Sequence, residues 1–184
     1  MNSRVSNHSN DITIVVATDN HYVVLLAALI KSIEVNHVSG ERLHFYVIDD
    51  GIADRNRTKV ERSIDPTMTS ITWCNSKQTI PAGVRLPLDK SASPLTAYLR
   101  LFAPYVVPEQ LDKVLYLDVD MIVMEDISIL WNTDLNGRLF GAALDLCETV
   151  CTSWGGIPNY KELKIPEKTK YFNLSRNISN LSSL

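Results

Sequence analysis

Three features of the 184-residue sequence predict an α/β fold with a mostly parallel sheet covered by helices on both faces. Short β-branched runs alternate with segments of helical period, in the order β-α-β-α. Those runs are short, apolar and rich in Val and Ile, as expected of strands buried on both sides. Asp19, Asp118 and Asp145 each follow a predicted strand. In a parallel sheet they lie along one edge, beyond the carboxyl ends of the strands, where doubly wound folds bind nucleotides.

The first strand is Asp11-Ile12-Thr13-Ile14-Val15-Val16-Ala17, ending at Thr18-Asp19-Asn20. Between His21 and Asn36, Val24, Leu25, Ala28, Leu29 and Ile33 recur at three- and four-residue spacing, which predicts a helix. Leu43 to Ile48 reads as a second strand stopped by Asp49-Asp50-Gly51, and Asp54 to Ser63 as a charged surface helix. Ser70 to Cys74 is the third strand, and Asn75 to Lys90, with Pro81, Gly83 and Pro87, is a long connection. Ser93 as N-cap and Pro94 at the first helical position open a helix over Leu95 to Phe102, which Pro104 is expected to end. Val114 to Leu117 is the fourth strand, Ile127 to Trp131 a helical turn, and Leu139 to Leu144 a fifth strand ending at Asp145.

Length and composition fit one soluble domain, at 45% hydrophobic and 21% charged residues. The polar segment 1–10 is expected to be disordered. A net charge of -3 without clustered Lys or Arg excludes a nucleic-acid footprint. The longest apolar run, Tyr22 to Ile30, is too short to span a membrane, and no secretory signal is read ahead of it. Cys74, Cys147 and Cys151 complete no zinc pattern and are expected to be reduced thiols, which favours a cytoplasmic location.

The sharpest chemical signal is Tyr116-Leu117-Asp118-Val119-Asp120-Met121. With 13 Asp in the chain, about one Asp-x-Asp pair arises by chance, so its position behind an apolar strand gives it weight. If the strand continues, both acids point to one face and share a metal. If the chain turns at Asp118, one acid takes metal and the other a ribose or water. Carboxylates suit Mg²⁺ or Mn²⁺, which accept phosphate oxygens as further ligands, so a nucleoside diphosphate is the expected ligand.

Val16-Ala17-Thr18-Asp19-Asn20-His21-Tyr22, Lys31-Ser32, Tyr98-Leu99-Arg100-Leu101, Lys113 to Asp120 and Leu130-Trp131 together resemble glycosyltransferase family 8, over residues 11–173. That family includes bacterial lipopolysaccharide galactosyl- and glucosyltransferases. The resemblance implies a Rossmann-like nucleotide-diphospho-sugar transferase fold of the GT-A type, retaining transfer of a hexose from a UDP-sugar to a saccharide acceptor, and Mn²⁺ (or Mg²⁺). It implies that Asp19 hydrogen-bonds the uracil and Tyr22 stacks on it, with Ala17 a further donor-binding residue. Arg100 matches a basic residue reaching the sugar and diphosphate. Asp118, Val119 and Asp120 match the segment whose acids bind metal and diphosphate. Asp145, in Ala143-Leu144-Asp145, matches the acid that holds the sugar hydroxyls, and Asn173 a donor-site residue. Asp145 and Arg100 are the catalytic candidates. Full-length members of the family also suggest peripheral association with the inner face of the membrane.

Tyr171-Phe172-Asn173 matches a family signature that continues with a small residue, Gly and an apolar strand. Here Leu174 to Leu184 is Ser/Asn-rich, and this divergent polar tail, 174–184, is expected to lack the strand. Members of the family run on for roughly another hundred residues, so a truncated or frame-disrupted chain is expected, with a metal-ligating His and much of the acceptor pocket missing. Two rival readings remain at this point. One is a phosphohydrolase with an Asp nucleophile, and the other a non-catalytic remnant that binds UDP-sugar.

Overall fold

The apolar runs assemble into one six-stranded sheet. The computed structural model describes residues 11–81, 83–84, 96–153 and 156–181. Its strands are β1 (Ile12–Asp19), β2 (Leu43–Asp50), β3 (Thr69–Asn75), β4 (Lys113–Leu117), β5 (Phe140–Thr149) and β6 (Lys170–Asn180). They lie in the order β3-β2-β1-β4-β6-β5. The first four are mutually parallel, with Val16 opposite Val47 and Ile14 opposite Leu115. β6 runs antiparallel to both β4 and β5. The expected mostly parallel sheet is therefore present, with one reversed strand near its edge.

Both faces are covered, as the unbroken apolarity of β1 requires. Ile12, Ile14 and Val16 pack against Leu26, Leu29, Ile30 and Ile33 of α1 (Val23–Asn36) and Val60 of α2 (Asp54–Ser63). Val15 and Ala17, on the opposite face by strand alternation, pack with Leu99, Phe102 and Ala103. Fully burying one such aliphatic or aromatic side chain is worth about 1.5–3 kcal/mol, and the largest of them lie on or against the parallel strands.

Several expectations change. The long connection after β3 starts with a helical turn, α3 (Ser76–Thr79), because the Asn75 side chain accepts the Lys77 N–H at 3.0 Å as a cap. Ser93 and Pro94 lie outside the described residues. The following helix does not stop at Pro104. A turn of α4 (Thr96–Leu99) passes through a 3₁₀ turn, Arg100–Phe102, into α5 (Ala103–Val106). Pro104 falls in the first turn of α5, where its missing N–H would have no intrahelical partner. β5 runs five residues past Leu144, so Asp145 sits within a strand rather than after one. The Ser/Asn-rich segment does not lack a strand, since β6 continues to Asn180 and pairs Asn180 with Lys113. A strand between two neighbours is held by its backbone ladder, so polar side chains do not forbid it. The segment 1–10 lies outside the described residues.

One polar clasp fixes the chain beyond β4. Asp126 caps α6 (Ile127–Trp131) by accepting the Ser128 N–H at 2.9 Å. It also accepts the N–H groups of Val38 and Ser39 at 2.8 and 2.9 Å and lies 2.9 Å from Nδ1 of the buried His37. Burial pushes the Asp126 carboxyl up, but the hydrogen bonds from Ser128, Val38 and His37 outweigh it and hold the group well below the usual carboxylate range. From α1, Ser32 Oγ accepts the Val123 N–H at 2.9 Å, and Asn36 donates to the Val123 carbonyl at 2.8 Å. The loop after the two acids is thereby tied to α1.

Candidate functional site

At the carboxyl edge of β1 and β4 lies a cavity of about 210 Å³. Ala17, Thr18 and Asp19 from β1, Tyr22 before α1, Thr96 and Ala97 from α4, Arg100 from the 3₁₀ turn after it, and Tyr116, Asp118, Val119 and Asp120 from the end of β4 and the turn beyond line it. The volume is smaller than the roughly 300–1,000 Å³ of pockets that enclose a whole ligand, so it matches only part of a nucleotide sugar.

Asp19 ends β1 and turns its carboxylate back onto the chain, where Oδ1 accepts the N–H groups of His21 and Tyr22 at 2.8 and 3.0 Å. This bond pair is an Asx-type turn that leads the chain into α1. It also aims Tyr22 outward, 44% exposed, with its ring edge-on to His21 at 4.8 Å. Tyr22 is thus not a core residue, and its ring is open to a partner at the cavity wall.

β4 stops at Leu117, and Val119-Asp120 form a turn. The alternative in which a strand runs on through both acids is therefore excluded. The two carboxylates still share the cavity, because Val119 between them packs into the apolar cluster of α1. Arg100 reaches Asp118 from the 3₁₀ turn after α4. Its Nε donates to the Ala97 carbonyl at 2.8 Å, and Nη2 lies 3.2 Å from each Asp118 oxygen. The guanidinium carbon sits 5.3 Å from the Tyr116 ring centroid. Burial first, and then the Asp118 charge, push the Tyr116 phenol well above its ordinary value, so it stays neutral.

Among the described residues no three His, Cys, Asp or Glu side chains converge as an all-protein metal site would require. Two carboxylates on one cavity do fit a hard cation that takes its other ligands from water and phosphate oxygens. Asp118 and Asp120 are the residues that would hold it.

Asp145 and Asn173 are not among the cavity residues. β5 runs in the direction of β4, with β6 reversed between them. Leu144 pairs with Phe172, four residues along β6 from the partner of Leu117, so Asp145 lies beyond Leu117 on the same edge. Its Oδ1 accepts the Cys147 N–H at 3.0 Å. Asn173 pairs with Ala143 at the point where the β5–β6 register shifts. Sequence reasoning missed Thr18, Thr96, Ala97 and Tyr116 as cavity residues. Tyr116 stood inside the most informative segment, but as an apolar strand residue it gave no sign of lining a site.

A family model described as glycosyl transferase family 8 matches residues 13–183. The chain belongs to glycosyltransferase family 8. The crystal structure of galactosyltransferase LgtC in complex with donor and acceptor sugar analogs is 29% identical, with a TM-score of 0.71, over 92% of this chain and 58% of that one. Among curated relatives, glycosyltransferase GlyF of Streptococcus pneumoniae serotype 4 is 31% identical over 135 residues, covering 73% of this chain and 32% of its own length. General stress protein A of Bacillus subtilis (strain 168) is 26% identical over 161 residues, covering 87% of this chain and 52% of its own. The family-8 chain thus has the GT-A fold and spans between 32% and 58% of the length of these proteins.

Proposed function

We propose that this family-8 chain supplies the donor-binding half of a retaining hexosyltransferase that uses a UDP-sugar, galactose or glucose, and a saccharide or lipopolysaccharide-type acceptor. The observation that carries the reading is the convergence of Asp19, Tyr22, Arg100, Asp118 and Asp120 on one cavity at the carboxyl edge of a parallel sheet.

In this reading Tyr22 offers a ring face to the uracil, and Asp19, already fixed by two backbone N–H groups, orients it. Arg100 places charge-assisted donors toward the diphosphate. The bond between the anomeric carbon and the β-phosphate oxygen breaks, a bond to an acceptor oxygen forms, and the proton of the acceptor hydroxyl passes to the departing diphosphate. Asp118 and Asp120 would hold Mn²⁺ or Mg²⁺, which would supply Lewis-acid stabilisation of the charge on the departing diphosphate. Asp145 and Asn173, beyond the cavity on the same edge, stand on the side where the hexose and acceptor would lie.

No helix among the described residues is long and apolar enough to cross a membrane; the proposed site of action is the cytoplasm, where the enzyme would meet its acceptor at the inner membrane face. The test is incubation of the chain with Mn²⁺ and either UDP-galactose or UDP-glucose, following UDP release with and without saccharide acceptors. Release with one donor, lost in Asp120→Ala, supports the reading. Phosphate release from simple phosphomonoesters without UDP dependence would replace it with a phosphohydrolase.

A further inference from the structure

We infer that Arg100 is an exchangeable counter-ion of Asp118, which blocks binding of a lone metal and releases the carboxylate only when a diphosphate arrives to take the guanidinium. The inference rests on the donor-site reading above and adds an order to it, with cation and nucleotide entering together.

The geometry is that of an ion pair already formed inside the cavity. Nη2 of Arg100 sits 3.2 Å from both oxygens of Asp118, and the two side chains are only 18% and 22% exposed. A divalent cation approaching Asp118 therefore meets a seated positive charge in a partly desolvated place, where repulsion is screened less than in water. Asp120 alone, exposed in the turn, is a weak site for a hard ion.

Arg100 is built to move its head without leaving. Nε is anchored on the Ala97 carbonyl at 2.8 Å and the guanidinium lies against the buried Tyr116 ring. Its contact to Asp118 uses one nitrogen on both oxygens rather than a parallel fork, which leaves donors unmatched with that carboxylate. A diphosphate offers those donors a better set of oxygens. Once the guanidinium bonds to phosphate, Asp118 is free and would hold a cation beside the diphosphate. Metal and nucleotide then each raise the other's affinity by the same factor.

The test uses the full chain and Mn²⁺ alone, with free Mn²⁺ followed by electron paramagnetic resonance, and then repeats the titration with saturating UDP. Wild type should bind Mn²⁺ weakly alone and much more tightly with UDP. Arg100→Met should bind Mn²⁺ alone about tenfold more tightly, the scale of one lost charge repulsion, and should gain less from UDP than wild type does. Arg100→Gln is a second neutral variant should the first not fold, and Arg100→Lys, which keeps the charge, should stay near wild type for metal alone. If wild type binds UDP with Mn²⁺ but the neutral variants bind lone Mn²⁺ no better than it does, the exchange is wrong and the donor site stands. If folded wild type binds no UDP with Mn²⁺, both are wrong.

Discussion

The parallel strands β3-β2-β1-β4 and the antiparallel pair β6-β5 are built from different sequence material. In the first region Ile12, Ile14, Val15, Val16, Phe45, Ile48 and Leu115 are wholly buried, and register is uninterrupted over the eight residue pairs of β1 and β2. In the second, Phe140, Leu144, Leu146 and Phe172 are exposed, and the β5–β6 register shifts twice. The difference separates the residues proposed to hold the nucleotide from those proposed to hold the sugar. Asp19 and Asp118, proposed to bind the nucleotide and its metal, stand at or just past the ends of doubly covered strands, as precise binding demands. Asp145 and Asn173 stand on the less covered pair, outside the cavity.

The sharpest way to break this contrast is a core deletion in the parallel region. Phe45→Ala removes a wholly buried ring and should cost about 3–5 kcal/mol in urea unfolding. A smaller cost would show that the parallel strands are not the stabilising half. Next is Asp126→Ala, which unties the α1 end from α6 and the loop after the acid pair. Loss of a cap and of several hydrogen bonds to a charged group should cost about 2–4 kcal/mol.

The same carboxylate sets an acid limit. Its folded value lies below the ordinary one, so its contribution is complete above the ordinary carboxylate pKa of about 3.9 and fades as pH falls below that. Unfolding followed from pH 6 to pH 2 should show stability dropping in the acid part of the range, with a shallower drop in Asp126→Asn. The smallest effect is expected at the antiparallel edge. Leu146, 90% exposed, should change stability by no more than about 0.5 kcal/mol on conversion to Ser, and a large loss would mean that β5 is buried in solution.

The parallel region was legible because burial on both faces demands apolar residues, and β1, β2 and β4 are written in Val, Ile and Leu. Asp19 and Asp118 followed from those strands by position alone. β6 was not legible from residue type. Asn173, Ser175, Asn177, Ser179 and Asn180 carry no strand pattern, and the segment is held by ladder bonds to β4 and β5. The Asp126 clasp escaped for a related reason. Its partners His37, Val38 and Ser39 are nearly ninety residues away in sequence, although Asp126-Ile127-Ser128 before a helical turn was a readable cap. The Arg100–Asp118 pair likewise depends on where the α4 turn packs, which spacing along the chain does not specify.

The most direct test of the central claim is calorimetric binding of UDP with and without Mn²⁺ to wild type, Asp118→Ala and Asp145→Ala. The cavity predicts metal-dependent UDP binding that disappears in Asp118→Ala and persists in Asp145→Ala. Absence of binding by the folded wild type, or binding that survives Asp118→Ala unchanged, would contradict it.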